Sequence, residues 1–230
     1  MKAVEIVFYF DFISPYAYVA WSVVHAVAAR APEPRRVAAV PILFAALLDA
    51  NGQKGPAEIP SKRIYTFKDA YRKGHRLGLP PLVPPPSHPF NPLVALRVAS
   101  LPRFDGAEGE AARRRVIDTL FTTAWRDGKG IESSDDVVTA LSTAGFDGAA
   151  LVREAETPDA KARLKTQTSE ALARGVFGVP TLIVDGEIFW GVDSLELAEA
   201  RLRGEDAVPR ELAWADRPAS AIRKGSASPR

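Results

Sequence analysis

The apolar positions of the first 44 residues predict a strand, a helix and a second strand. Val4–Phe10 is almost uninterrupted in apolar, β-branched and aromatic residues, which is the pattern of a strand buried on both faces of a sheet. Ser14 is a favourable N-cap and Pro15 a favourable first helical residue, so we expect a helix from there to about residue 30. Residues 36–44 predict the second strand, and the proline near its end favours an edge position or a bulge.

The middle of the chain has a different pattern. Over residues 45–155 the apolar positions follow helical spacing and give little strand signal. A cluster of prolines over residues 80–92 interrupts this pattern. We expect one helix to begin at Pro92 and two more to span Glu110–Trp125 and Ser134–Ala144. This part of the chain is therefore predicted to be a block of helices.

Strand signal returns near the end. A helix is predicted over Pro158–Arg174, followed by strands over Thr181–Val184 and Glu187–Trp190. Between those strands Asp185-Gly186 predicts a two-residue hairpin, because a type I′ turn needs positive φ at both central positions. A last helix is expected over Leu195–Arg203.

This order of elements predicts an α/β protein with a thioredoxin-like fold and an inserted all-helical domain. The thioredoxin-like domain is discontinuous and is expected over residues 1–44 and 158–204. The inserted helical domain is expected over residues 45–157. Residues 205–230 lose periodicity and end in a basic, Ser- and Pro-containing sequence, so we expect a mobile C-terminal tail.

Composition excludes several classes of function. The 47% hydrophobic and 25% charged content is ordinary for a globular protein. Thirty basic against 28 acidic residues leave a charge of +2, so we expect neither nucleic acid nor a membrane as a partner. The absence of cysteine excludes disulfides, thiolate metal sites and cysteine catalysis. The N-terminal residues lack the pattern of a secretory signal, and we expect a cytoplasmic protein.

Two short motifs carry the candidate chemistry. Ser14-Pro15-Tyr16-Ala17 follows the first strand, and Val179-Pro180-Thr181 precedes the third. A helix N-terminus carries partial positive charge and unpaired N–H groups that favour an anion. Ser14 could donate its hydroxyl proton to an anion bound there. The alternative is that Ser14 serves only as an N-cap.

Four motifs together resemble the 2-hydroxychromene-2-carboxylate isomerases, which are related to kappa-class glutathione transferases and to DsbA. The resemblance covers residues 4–203. In the thioredoxin family the position of Ser14 belongs to a Cys-x-x-Cys motif, so the resemblance implies a thiol supplied by glutathione. The motifs are Phe10-Asp11-Phe12-Ile13-Ser14-Pro15-Tyr16-Ala17-Tyr18, Pro89-Phe90-Asn91-Pro92, Gly175-Val176-Phe177-Gly178-Val179-Pro180-Thr181 and Phe189-Trp190-Gly191-Val192-Asp193.

The resemblance assigns residues to glutathione. The Val179–Pro180 bond is expected to be cis, with the backbone of Val179 facing the cysteinyl unit. Asp193 is expected to meet the γ-glutamyl ammonium, and Ser194 the α-carboxylate, although both are equally good helix caps. Val192 and Ser194 depart from the pattern, because relatives often have Ser or Asn at the first position and Arg at the second.

Further residues are implied at the other end of glutathione and at the substrate. Gln53 and Lys62 lie in segments that resemble the loop that closes over glutathione. Lys62 is expected to pair with the glycyl carboxylate or with a substrate carboxylate. Asn91 could donate to a substrate carboxylate or brace its loop. Tyr16 and Trp125 are expected to line the apolar side of the cleft, or else to be core residues. Surface lysines are usually solvated, and the three histidines form no metal pattern.

The function that the resemblance implies is glutathione-dependent cis–trans isomerisation of a small aromatic 2-hydroxy or 2-oxo acid. A thiolate would add reversibly to its conjugated double bond. Two alternatives stay open: a kappa-like transferase or peroxidase that consumes glutathione, and a non-catalytic protein that binds glutathione or another ligand. The resemblance also leaves a homodimer open.

Overall fold

The computed structural model describes residues 5–208 and Arg217. Within that part of the chain, four strands form one sheet, and helices cover it. The strands are β1 (Glu5–Phe10), β2 (Arg36–Pro41), β3 (Thr181–Val184) and β4 (Glu187–Trp190). The helices are α1 (Pro15–Ala29), α2 (Phe44–Ala50), α3 (Pro60–Arg76), α4 (Leu93–Ser100), α5 (Gly106–Trp125), α6 (Ser134–Thr143), α7 (Gly148–Ala155), α8 (Pro158–Ala173) and α9 (Leu195–Leu202).

The sheet has the strand order β2-β1-β3-β4. β1 runs parallel to β2 and antiparallel to β3, and β4 returns antiparallel to β3. The edge position expected for β2 is confirmed. The hairpin between β3 and β4 is confirmed as well, since Asp185 and Gly186 have φ values of 49° and 85°, as a type I′ turn requires.

The second strand is shorter than predicted. It ends at Pro41, and Phe44, which we expected to close the strand, begins α2. The backbone N–H of Phe44 donates to the carboxylate of Asp11 over 2.9 Å, so this bond draws the chain away from the sheet and starts a helix. Leu43 makes no side-chain cap for α2, and Asp11 supplies the acceptor from another element.

The core joins the sheet to the helical block. Phe8 and Phe10 of β1 are fully buried on one face of the sheet, and Tyr9 is buried on the other, which confirms burial of this strand on both faces. The ring of Phe121, in α5, lies 5.5 Å from that of Phe10 and 4.7 Å from that of Phe12. The helical block therefore packs directly against the end of β1, where the chain turns towards Ser14.

The predicted mobile tail, residues 205–230, lies mostly outside the described residues. At its start Asp206 accepts a 2.9 Å hydrogen bond from Arg201 of α9.

Candidate active site

Ser14 caps the N-terminus of α1. Its backbone is extended, with φ −94° and ψ 116°, and its Oγ accepts the backbone N–H of Ala17 over 3.2 Å. Pro15 occupies the first helical position, where its missing N–H costs the helix no hydrogen bond. The capping bond uses the serine oxygen as an acceptor, so the hydroxyl proton stays available for a ligand. Capping and ligand binding are thus compatible at Ser14, which is 7% exposed.

Asp11 organises the turn before Ser14. Its buried carboxylate accepts the N–H of Ile13 over 3.0 Å and that of Phe44 over 2.9 Å, and its backbone carbonyl accepts the N–H of Ser14. Burial raises the pKa of Asp11 to about 7, against the two backbone hydrogen bonds, which lower it. One carboxyl group therefore links the β1–α1 turn to the start of α2.

The inserted block also holds the turn from the other side. Trp125, at the end of α5, donates its indole N–H to the carbonyl of Phe12 over 2.8 Å. The Nε2 of His88 lies 2.9 Å from the carbonyl oxygen of Ile13. Burial lowers the pKa of His88, with Arg63 adding to this effect and the Ile13 contact opposing it, so His88 is neutral at pH 7.

Trp125 takes the second of the two roles expected for it, that of a core residue. It is completely buried and its single polar atom is used by Phe12, so it supports the turn and does not line a substrate cleft.

The Val179–Pro180 peptide bond is cis, as the resemblance implies. Thr181 pairs with Tyr9 in the antiparallel β1–β3 ladder, so the residues before Thr181 leave the same edge of the sheet as those after Tyr9. This register places Val179-Pro180 beside the turn that carries Ser14. A side chain at the preceding Gly178 would meet the indole of Trp190, because a Cβ there would lie 2.5 Å from its Nε1.

Four side chains form a charged cluster next to this turn. The phenol of Tyr16 donates to Asp69 over 2.8 Å. The ammonium of Lys73 lies 2.5 Å from Asp69, 3.0 Å from Asp193 and 5.0 Å from the centre of the Tyr16 ring. Tyr16, Asp69, Lys73 and Asp193 are called the Lys73 cluster below. It joins α1, α3 and the 3-10 turn Val192–Ser194.

The cluster sets the charges of its members. Burial raises the pKa of Asp69, but hydrogen bonds from Lys73 and Tyr16 outweigh burial and hold it below its usual value. Burial lowers the pKa of Lys73, but Asp69 and Asp193 outweigh that effect and raise it. Burial, together with Asp69, raises the pKa of the Tyr16 phenol. At pH 7 the cluster therefore contains the Asp69 carboxylate, the Lys73 ammonium and the neutral Tyr16 phenol.

Two members of this cluster were missed from the sequence. Asp69 is the single acidic residue of α3, and it stands four positions before Lys73. That spacing is a signal for a side-chain pair on one helix face, but it does not reveal that Asp193 joins them.

Other predicted residues lie around this centre. Lys62 is exposed in the first turn of α3 and lies on the same helix face as Asp69, seven residues later. Gln53 is exposed after α2. Asn91 accepts the N–H of Leu93 over 3.1 Å, which is the loop-bracing alternative. The structure brings Tyr16 and Asp193 together through Lys73, while Gln53 and Asn91 stand on separate loops.

The end of the hairpin differs from the expectation for Ser194. Its hydroxyl donates to the carbonyl of Trp190 over 2.7 Å, and its N–H donates to the carbonyl of Gly191 over 3.3 Å. Val192 is buried, so its side chain packs inward. Both hydrogen-bond donors of Ser194 are therefore used within the turn.

The described residues contain neither a metal-binding cluster nor a membrane-spanning helix. No group of three His, Asp or Glu side chains in residues 5–208 is placed to hold a metal ion. In the same part of the chain, no helix combines the length and apolar character that a bilayer-spanning segment needs.

Comparison with known proteins agrees with this geometry. A family model described as a DSBA-like thioredoxin domain matches residues 5–203. A 2-hydroxychromene-2-carboxylate isomerase from Pseudomonas putida is 29% identical over 199 residues, covering 85% of this chain and 92% of that protein. Glutathione S-transferase kappa 1 from Rattus norvegicus is 29% identical, over 72% of this chain and 76% of its own.

A solved structure gives the same result. The structure of a 2-hydroxychromene-2-carboxylate isomerase superposes with a TM-score of 0.74 at 26% identity, covering 86% of this chain and 94% of that one. The resemblance inferred from four motifs and the predicted thioredoxin-like fold with a helical insertion are thereby confirmed. These similarities support an isomerase.

Proposed function

Because this chain belongs to the family of DSBA-like thioredoxin domains yet contains no cysteine, we propose that it is an isomerase whose thiol comes from bound glutathione. The observation that carries the proposal is the geometry of Ser14. A hydroxyl that accepts from Ala17 keeps its proton for a ligand, and it stands at the N-terminus of a 15-residue helix. This arrangement fits an anion such as a thiolate.

The residues present fit a thiol-bearing tripeptide. The Ser14 hydroxyl would meet the sulfur, the backbone of Val179 beside Pro180 the cysteinyl unit, and Asp193 the γ-glutamyl ammonium. Lys62 and Gln53 would bind the glycyl carboxylate. Bound glutathione would supply a thiolate that adds reversibly to a double bond, so that the bond can rotate before the thiolate leaves.

Ser14 would act by stabilising the ionised sulfur. A hydrogen bond to a charged group contributes about 1.5–3 kcal/mol, and one pKa unit corresponds to about 1.4 kcal/mol. One such bond therefore lowers the pKa of a bound thiol by about one to two units, from about 8.5 when free. This brings the thiolate within reach at neutral pH.

The substrate that we propose is a small aromatic 2-hydroxy or 2-oxo acid. The side-chain NH2 of Asn91 in the proline-rich loop would bind its carboxylate, and the half-buried ring of Tyr16 would contact its apolar part. The inserted helices would exclude water from the reacting atoms. A kappa-like glutathione transferase is the second candidate, favoured by the similarity to the rat kappa enzyme.

A titration of bound glutathione tests the proposal. The ultraviolet absorbance of the thiolate is followed against pH for the wild type, for Ser14→Ala, and for Ser133→Ala as a matched control. Ser133 is the N-cap of α6 and accepts from Asp136 over 3.1 Å, so its loss mimics the capping cost alone. We expect a lowered thiol pKa in the wild type and in the control, and a pKa about one to two units higher in Ser14→Ala.

Product analysis then separates the two candidates. With 2-hydroxychromene-2-carboxylate, an isomerase changes the substrate and leaves glutathione unconsumed. Consumption of glutathione with an electrophilic aryl halide, and no isomerisation, would favour the transferase. Glutathione that fails to bind, or binds without ionising, would overturn both.

A further inference from the structure

The Lys73 cluster is complementary to a free α-amino acid. Asp69 and Asp193 carry negative charge, and Lys73 between them carries positive charge. The γ-glutamyl end of glutathione presents an ammonium and a carboxylate on one carbon atom. The carboxylates of Asp69 and Asp193 can bind the ammonium of the ligand, and the ammonium of Lys73 can bind its carboxylate.

Ser194 does not supply the donor for that carboxylate. Its hydroxyl and its N–H are already bonded to Trp190 and Gly191. Arg76, one turn further along α3, lies 3.9 Å from Glu196, and both side chains are more than 80% exposed. Lys73, by contrast, is 25% exposed and fixed by two carboxylates and an aromatic face. Among the described residues, Lys73 is the cation placed against Asp193.

The donor count of Lys73 leaves one hydrogen bond for a ligand. An ammonium has three N–H donors. One is directed to Asp69 and one to Asp193, so the third is unassigned. Asp193 is 73% exposed on the solvent side, and a ligand that reaches Asp193 comes within reach of Lys73 as well.

We propose that Lys73 binds the α-carboxylate of glutathione and thereby sets the preference of the site for a γ-glutamyl group. This inference rests on the proposed function, because it concerns the ligand named there. It gives α3 of the inserted block a part in holding the ligand, beside the turn that carries Asp193. The alternative is that Lys73 is an ion-pair link between these two elements and never touches the ligand.

A chemical double-mutant cycle distinguishes the two roles. Calorimetry measures the dissociation constants of glutathione and of its analogue without the α-carboxylate, γ-aminobutyryl-cysteinyl-glycine. The proteins are the wild type and Lys73→Met, with Arg76→Met as the control that removes a neighbouring exposed cation. We expect the wild type and the control to bind the analogue about tenfold to a hundredfold more weakly than glutathione, which is the range for a hydrogen bond between charged groups.

Lys73→Met should lose that discrimination. Its affinity for glutathione should fall by about the same factor, while its affinity for the analogue stays unchanged or rises, because Asp69 and Asp193 then face the ammonium alone. Equal weakening of both ligands would identify a purely structural link and overturn the inference, while the proposed function stands. If the wild type binds neither ligand, the proposed function falls and the inference with it.

Two more variants allow the test to be decided even if Lys73→Met does not fold. Lys73→Gln keeps a side-chain donor without the charge and decides the question if Lys73→Met does not fold. Lys73→Arg keeps the charge, and we expect it to retain discrimination. A Lys73→Gln protein that folds and discriminates between glutathione and the analogue like the wild type would also overturn the inference.

Discussion

The indole N–H of Trp125 and the carbonyl oxygen of Phe12 form a 2.8 Å hydrogen bond two residues before Ser14. The next carbonyl, that of Ile13, contacts the imidazole of His88. Both donors come from the inserted block, so the block supports the backbone that positions Ser14 as well as covering the site.

Trp125→Phe should therefore destabilise the protein beyond the effect of lost volume. The substitution leaves the carbonyl of Phe12 buried without a donor, which costs about 1–3 kcal/mol. Urea unfolding measures the change. Trp190→Phe is the control, because Trp190 is 53% exposed, and we expect it to change stability by less than about 0.5 kcal/mol. Equal stability of wild type and Trp125→Phe would show that the Phe12 carbonyl finds another donor.

The titration of Asp11 should appear in the pH dependence of stability. Because burial raises its pKa from 3.8 to about 7 in the folded state, its contribution to stability is fully present below pH 3.8 and is lost as the pH rises through about 7. The free energy of unfolding of the wild type, minus that of Asp11→Asn, should fall from pH 4 to pH 8. The decrease is on the order of 4 kcal/mol at most, since one pKa unit is about 1.4 kcal/mol.

The free energies of unfolding of the two proteins are subtracted because a buried histidine changes stability with pH in the opposite direction. Burial, together with Arg114, lowers the pKa of His25 to about 4. Its contribution is therefore present above pH 6.5 and is lost as the pH falls through about 4. Asp11→Asn retains His25, so subtraction removes the histidine effect. A difference that is flat from pH 4 to pH 8 would contradict the raised pKa of Asp11.

The parts of the fold that the sequence predicted well depend on local chemistry. β3 and β4 were predicted with their observed bounds, because strand-forming residues flank a turn that Asp185-Gly186 specifies by itself. The end of β2 was missed for the opposite reason. Phe44 turns away from the sheet because of a hydrogen bond to Asp11, a residue that only the folded chain brings near.

In the candidate site, too, local sequence predicted some features, whereas contacts made only in the folded chain determined others. Ser14 could be predicted because a helix start has a local signature, and the Val179–Pro180 bond because its motif is characteristic. For Trp125 the sequence left the cleft and the core open, because helical spacing predicts a face but does not say which neighbour covers it. Lys73 was missed because its pair with Asp69 looks like an ordinary surface pair, and its second partner, Asp193, lies in a distant part of the sequence.

Tyr16→Phe should weaken the Lys73 cluster. The substitution removes the hydrogen bond to Asp69, so the pKa of Asp69 should rise and the protein should lose about 1–3 kcal/mol of stability. Urea unfolding measures the loss, and carboxyl NMR shifts report the Asp69 titration. Tyr71→Phe, at an exposed position of α3, the helix that carries Asp69, is the control that should change neither. An unaltered Asp69 titration in Tyr16→Phe would show that Lys73 alone holds this carboxylate.

Gly178→Ala should disturb the loop that carries Val179. The new Cβ would lie 2.5 Å from Nε1 and 3.1 Å from Cε2 of Trp190, and such overpacking costs about 1–3 kcal/mol. Removing the indole should restore most of this loss, so Gly178→Ala should be nearly neutral in a Trp190→Ala background. Gly130→Ala is the control, because its Cβ would meet Asp136 no closer than 3.4 Å. Urea unfolding of the four-protein cycle measures the coupling, and additive costs would mean that Trp190 does not limit the space at Gly178.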